Sequence, residues 1–153
     1  ATNSPGDTVR KSNAAGTSGI DYTITGENHT WDFTPLFPLV QTVDTFASVS
    51  SVPFLYQIIF IPNIVANLAQ KFPGADTLGI PVTDPYRFFK NASSEFTDVG
   101  FAVTINDFPV PLRFDDPDVI YDFPVEYGNV DSSYSGVAGV RFPHPTALLM
   151  CCG

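Results

Sequence analysis

Residues 26–60 read GENHTWDFTPLFPLVQTVDTFASVSSVPFLYQIIF, and the expected fold turns on this stretch. Trp31 and Phe33 open it, Pro35 and Pro38 punctuate it, and residues 40–49 then alternate around Thr42, Asp44 and Ser48. Alternation of apolar and polar side chains is the period of a half-buried strand. Residues 54–61 are a nearly unbroken apolar run, which reads as a strand buried on both faces.

The flanking sequence carries the same pattern. Residues 20–25 (IDYTIT) alternate, Gly26, Glu27 and Asn28 make a turn, and a strand is expected over 29–33, stopped by Pro35 and Pro38. Further strands are expected over 83–91, 96–105, 108–114 and 119–127, with Asn106 and Asp107 as a turn. Pro109 and Pro111 give 108–114 the look of an edge strand, because proline cannot donate to a ladder. Only residues 63–71 show helical spacing, at Ile64, Val65 and Leu68, which suits a two-turn helix. Turn signals recur at about 8–12 residues, the rhythm of a β-sandwich. The expected class is all-β, an antiparallel sandwich or jelly-roll-like fold, cut short at its end, with at most one short helix.

Composition agrees. The 153 residues suit one domain with a substantial core. Fourteen Phe and fourteen Pro favour short, stiffly connected strands over long helices. Sixteen acidic residues against seven basic leave a net charge of −9, and nucleic acid and anionic membranes both select for the opposite sign. The most apolar stretch, 52–69, is interrupted by Pro53, Gln57, Pro62, Asn63 and Asn67 and falls short of the roughly 20 apolar residues of a membrane-spanning helix. The two cysteines, Cys151 and Cys152, are adjacent, so no internal disulfide is expected. Three parts follow: a flexible leader over 1–19, with 7–10 strand-like, a β-rich domain over 20–139, and a tail over 140–153.

The words GDTVRKS (6–12), SGIDYTITGENHTWDF (18–33), PLVQTVDTF (38–46), YRFFKNASSEFTDVGFAVTIN (86–106) and VIYDFPVEYGNVDSSYS (119–135) resemble the amino-terminal region of secreted Bacteroidota proteins that usually end in a type IX secretion sorting domain. The resemblance covers residues 6–136 and implies an exported or cell-surface, β-rich region without an assigned activity. The tail RFPHPTALLMCCG does not resemble the continuation of that family. A sandwich shortened there exposes strand edges, so self-association is expected.

Several residue groups are candidates for chemistry. FDDPDVIYD (114–122) offers Asp115, Asp116 and Asp118 as hard oxygen ligands for calcium, although without the spacing of an EF-hand; no other cofactor is expected. A plain acidic, solvated turn beside an edge strand is the simpler reading of the same residues. Asp116 with Asp122 or Glu126 is the candidate acid and base pair for glycoside hydrolysis. His29, near Asp32 or Asp44, is a candidate general base. Trp31, Tyr86, Tyr121 and Tyr127 are candidates for a carbohydrate-stacking face. The leading expectation is a secreted or cell-surface module of non-catalytic type, for adhesion or glycan contact. The alternative is a small extracellular hydrolase acting on an ester or glycoside.

Overall fold

The computed structural model describes residues 3–15, 28, 30, 32–72, 81–125, 130–131, 134–137, 140–143 and 147–148. The chain is all-β and mostly antiparallel, with a single short α-helix among the described residues. It divides into two compact units, Thr8–Asp44, and Ala1–Asp7 together with Thr45–Gly153.

In the smaller unit, strand β1 (Thr8–Ala15) pairs with the first part of β2 (Phe37–Ser48). The strand-like part of the leader therefore falls largely in β1. Lys11 forms an ion pair with Asp44. Residues 30, 32 and 33 lie outside any strand, contrary to expectation. The cause is local: Asp32 Oδ1 accepts from the Thr34 amide at 3.0 Å and from the Thr34 hydroxyl at 2.6 Å, which closes a turn instead. Pro38 does not stop the chain but sits near the start of β2, where a missing donor costs little.

In the larger unit, the end of β2 leads a ladder that continues through β3 (Leu68–Lys71), β4 (Val82–Asn91), β5 (Glu95–Ile105), β6 (Phe108–Asp122), β8 (Tyr134–Val137) and β9 (Val140–Pro143). A separate ribbon joins β7 (Val130–Asp131) to β10 (Ala147–Leu148). Asn106 and Asp107 make the expected turn between β5 and β6, both with positive φ (49° and 65°), as two-residue hairpin loops require.

The apolar run after β2 is a helix rather than a strand. A 3-10 turn (Val49–Ser51), capped by the Ser48 hydroxyl, leads through Pro53 into α1 (Phe54–Ile59). Proline is well placed just ahead of a helix, where its missing N–H has no intrahelical partner to lose. Gln57 Nε2 then donates to Val52 O at 2.7 Å and braces the entry. Val49, Val52, Tyr56 and Phe60 recur at three- and four-residue intervals and are all buried, which is a helical stripe hidden inside a continuous apolar run. The expected helix over 63–71 is instead a turn followed by β3. Asn63 adopts a left-handed φ of 63°, and Asn67 exchanges hydrogen bonds with the Asn91 backbone (2.7 and 2.8 Å), which aligns the chain for pairing with β4.

Period-two alternation then builds two aromatic clusters on opposite faces of the sheet. On one face Phe88 stacks on Phe60 at 3.9 Å and meets Tyr56 edge-on, with Ala69, Val99 and Ala102 around them. On the other face Phe89 stacks on Phe96 at 5.1 Å, with Phe46 edge-on and Leu68 beside them. Burying one such ring contributes about 1.5–3 kcal/mol. Gly100 lies where β6 shifts register against β5. Its φ is +141°, and a Cβ there would stand 2.2 Å from the Leu112 carbonyl oxygen, so only glycine fits.

Candidate functional site

The acidic stretch is strand rather than turn. Asp115, Asp116 and Asp118 all lie within the 15-residue β6, and Asp116 pairs with Gly136 of β8. Asp115 and Asp116 are exposed, whereas Asp118 is buried opposite Asp98 of β5. The three carboxylates thus have different surroundings. Among the described residues, no group of three His, Cys, Asp or Glu side chains is placed to hold a metal ion. Asp122, at the exposed end of β6, is six positions along the strand from Asp116. Glu126, His29, Trp31 and Tyr127 lie outside the described residues.

The two described tyrosine candidates do not share a face. Tyr86 pairs in register with Lys71 and Ala102 and packs edge-on to the buried Tyr56 ring. Tyr121 pairs with Phe96 and belongs with Phe123 to the opposite cluster. A stacking platform built from both is therefore not assembled.

The most deeply buried carboxylate was not among the expected sites. Asp98 is only 2% exposed and is held on both oxygens. Its Oδ1 accepts from the Gly100 amide at 3.1 Å, and its Oδ2 accepts from Arg87 Nε at 3.0 Å and from Arg87 Nη2. The Arg87 guanidinium also lies over the Phe89 ring at 5.6 Å. Burial pushes the Asp98 carboxyl above the usual aspartate range, and the Asp118 charge adds to this; Arg87 and the Gly100 amide act against it without reversing it. The sequence signal was an Asp inside the apolar strand FTDVGF, facing the lone Arg of PYRFF one strand away. A buried carboxylate needs such a partner. With the carboxylate closed off from solvent, this cluster braces the sheet and offers no reactive oxygen to a substrate.

A second polar anchor holds α1. Tyr56 is fully buried, with its hydroxyl 2.7 Å from Thr104 Oγ1 and 3.2 Å from the Asp84 carbonyl oxygen, to which it donates. Burial raises its pKa, so the phenol stays neutral.

Two accessible features lie on the α1 side of the sheet. The first is a groove of about 540 Å³, bounded by Ile61, Ile64 and Val65 of the turn and by Val99 and Val119 of β5 and β6. The second is the outer surface of α1 and that turn. Phe54, Leu55, Ile58, Ile59, Ile61 and Ile64 are all exposed, Phe54 and Ile64 to 73%. The same short helix buries Tyr56 and, apart from Gln57, is apolar elsewhere. Comparison of the chain with protein-family models, with curated proteins and with solved structures found no match.

Proposed function

We propose that this chain is a non-catalytic contact module of a secreted or cell-surface protein, and that it meets its partner through the exposed side chains of α1 and the adjoining turn. One observation carries the reading: six large apolar side chains within eleven residues, 54–64, face solvent together. Apolar surface concentrated in this way marks an interaction site more often than a monomer's ordinary exterior. The surface is aliphatic apart from Phe54, which suits a protein or other apolar cell-surface component better than a sugar ring. The export expected from the likeness to secreted Bacteroidota proteins belongs to the same reading, as does self-association through this patch. Calcium at Asp115, Asp116 and Asp118 would belong to it as well, and EDTA sensitivity of binding tests that part.

The test sets binding against turnover. Fluorescently labelled protein is applied to intact bacterial cells and to a glycan array, alongside a chromogenic ester and glycoside panel. Retention on cells that Leu55→Asp and Ile58→Asp remove, with no substrate turned over, supports the contact module. Turnover that Asp116→Asn or Asp122→Asn abolishes while the circular-dichroism spectrum is kept would replace it with the hydrolase alternative.

A further inference from the structure

Thr97 of β5 is 5% exposed, and its hydroxyl has no hydrogen-bond partner among the described residues. Buried polar atoms in folded proteins almost always have one, so an orphan calls for an explanation. This hydroxyl belongs to a residue lining the groove beside α1.

The charges around it are specific. Lys90 faces Thr97 across the β4–β5 ladder and lines the same groove. Its Nζ donates to Asn63 O at 2.6 Å and to Ile64 O at 3.2 Å, which ties down the turn. An ammonium has three donors, so one is left. Arg113 of β6 also lines the groove and is exposed. Among the described residues no carboxylate pairs with it, in a chain of net charge −9. Among the described residues Glu95, two residues before Thr97, is the one carboxylate on the lining. Two cations against one anion leave the groove locally positive on an acidic protein. Its remaining described walls are aliphatic.

We propose that this groove binds a small monocarboxylate with an aliphatic body. The carboxylate sits over Thr97, accepting from its hydroxyl and from Lys90 and Arg113, and the hydrocarbon lies against Ile61, Ile64, Val99 and Val119. The volume falls within the roughly 300–1,000 Å³ of small-molecule sites. Charge-assisted hydrogen bonds to Arg are the strong and orienting part of such a contact. The groove shares Ile61 and Ile64 with the partner-docking surface, whereas Ile58 of α1 belongs to that surface and does not line the groove, so a substitution at Ile58 separates the two.

The probe is decanoate below its micellar concentration, with decanol as the uncharged control, titrated by calorimetry and by amide chemical shifts. Decanoate should bind at least about tenfold more tightly than decanol, the discrimination expected of one charge-assisted contact. Arg113→Gln should weaken decanoate about tenfold and leave decanol unchanged. Glu95→Gln should tighten decanoate a few-fold, because a like charge is removed. Thr97→Val, close to isosteric, should weaken it a few-fold and serves as the test if Arg113→Gln fails to fold. Ile58→Asp should leave it unchanged. Equal affinity for decanoate and decanol, or no response to both Arg113→Gln and Thr97→Val, would overturn the site. Binding of a hexapeptide through its C-terminal carboxylate, with none of decanoate, would overturn the small-ligand assignment.

Discussion

On β2, Phe37, Leu39, Val40 and Val43 are exposed, while Phe46, three residues after Val43, is buried. The boundary between the two units falls between these positions, at Asp44 and Thr45. Residue type is the same on both sides; what differs is the number of surfaces available to cover it. In the smaller unit β2 has one described strand partner, β1, and a two-stranded ribbon cannot bury both its faces. In the larger unit the ladder is several strands wide, α1 covers one face, and the Phe46, Leu68, Phe89 and Phe96 cluster lies on the other. Burial here follows from architecture, and the hydrophobicity of a residue alone does not decide it.

Truncating one ring in each unit gives the largest contrast. Phe88 is fully buried, stacked on Phe60 and edge-on to Tyr56. Phe88→Ala should cost about 3–5 kcal/mol, a large share of the stability of a domain this size. Leu39 is 69% exposed, and Leu39→Ala should stay within about 0.5 kcal/mol. Urea denaturation read by tyrosine and tryptophan fluorescence measures both. Similar losses for the two variants would mean that the ribbon face is covered in solution.

The next contrast sets one ion pair against another. Arg87 grips a carboxylate that is buried, while Lys11 pairs with Asp44 from a side chain that is 60% exposed. Arg87→Leu leaves the buried Asp98 without its charged donor and should cost about 1–3 kcal/mol. Lys11→Leu should cost no more than about 1 kcal/mol, the range of surface pairs, and less still in 0.5 M salt. The salt arm sharpens the comparison, because a desolvated pair is screened far less than an exposed one.

The residues that were legible in the sequence and those that were not differ in one physical respect. The strands at 83–91 and 96–105 and the Asn106–Asp107 turn were readable because alternation and left-handed turn residues are local signals. The all-β class followed from them. The run at 54–61 misled because an unbroken apolar stretch has no period, and the stripe Val49, Val52, Tyr56, Phe60 shows itself only against an aromatic face supplied by Phe88, far along the chain. Residues 63–71 misled in the opposite sense: helical spacing was present, but the left-handed Asn63 and the Asn67–Asn91 exchange outweighed it. At the candidate sites, Asp115, Asp116 and Asp118 looked equivalent along the chain. The register shift between Asp98 and Gly100 of β5 sets Asp118 opposite Asp98. The groove was invisible for the same reason, since Thr97, Lys90 and Arg113 come from three strands and are joined only by pairing.

The smallest effect compares two aspartates whose carboxyls are displaced in opposite directions. Asp32, in the smaller unit, accepts two hydrogen bonds from Thr34, the side-chain one first in importance, and its pKa is lowered from 3.8. Asp98, in the larger unit, is raised from 3.8, chiefly by burial. A lowered carboxylate stabilises the fold above its unfolded pKa, and that contribution fades as pH falls through the folded value. A raised one behaves inversely: the folded state holds the proton more tightly, so its contribution is complete below 3.8 and is lost as pH climbs through the folded value. Between these limits the native chain binds more protons at position 98 than the unfolded chain does, and stability declines with rising pH. Asp98→Asn removes the titration. The stability difference, wild type minus Asp98→Asn, should therefore shrink as pH rises from 3.5 towards 7, and Asp32→Asn should give a weak trend of the opposite sign. Urea midpoints at pH 3.5, 5 and 7 read both slopes. A wild-type advantage over Asp98→Asn that grows with pH would show that Arg87 outweighs burial at this carboxylate, and that the sheet is held by an ion pair favouring the charged form.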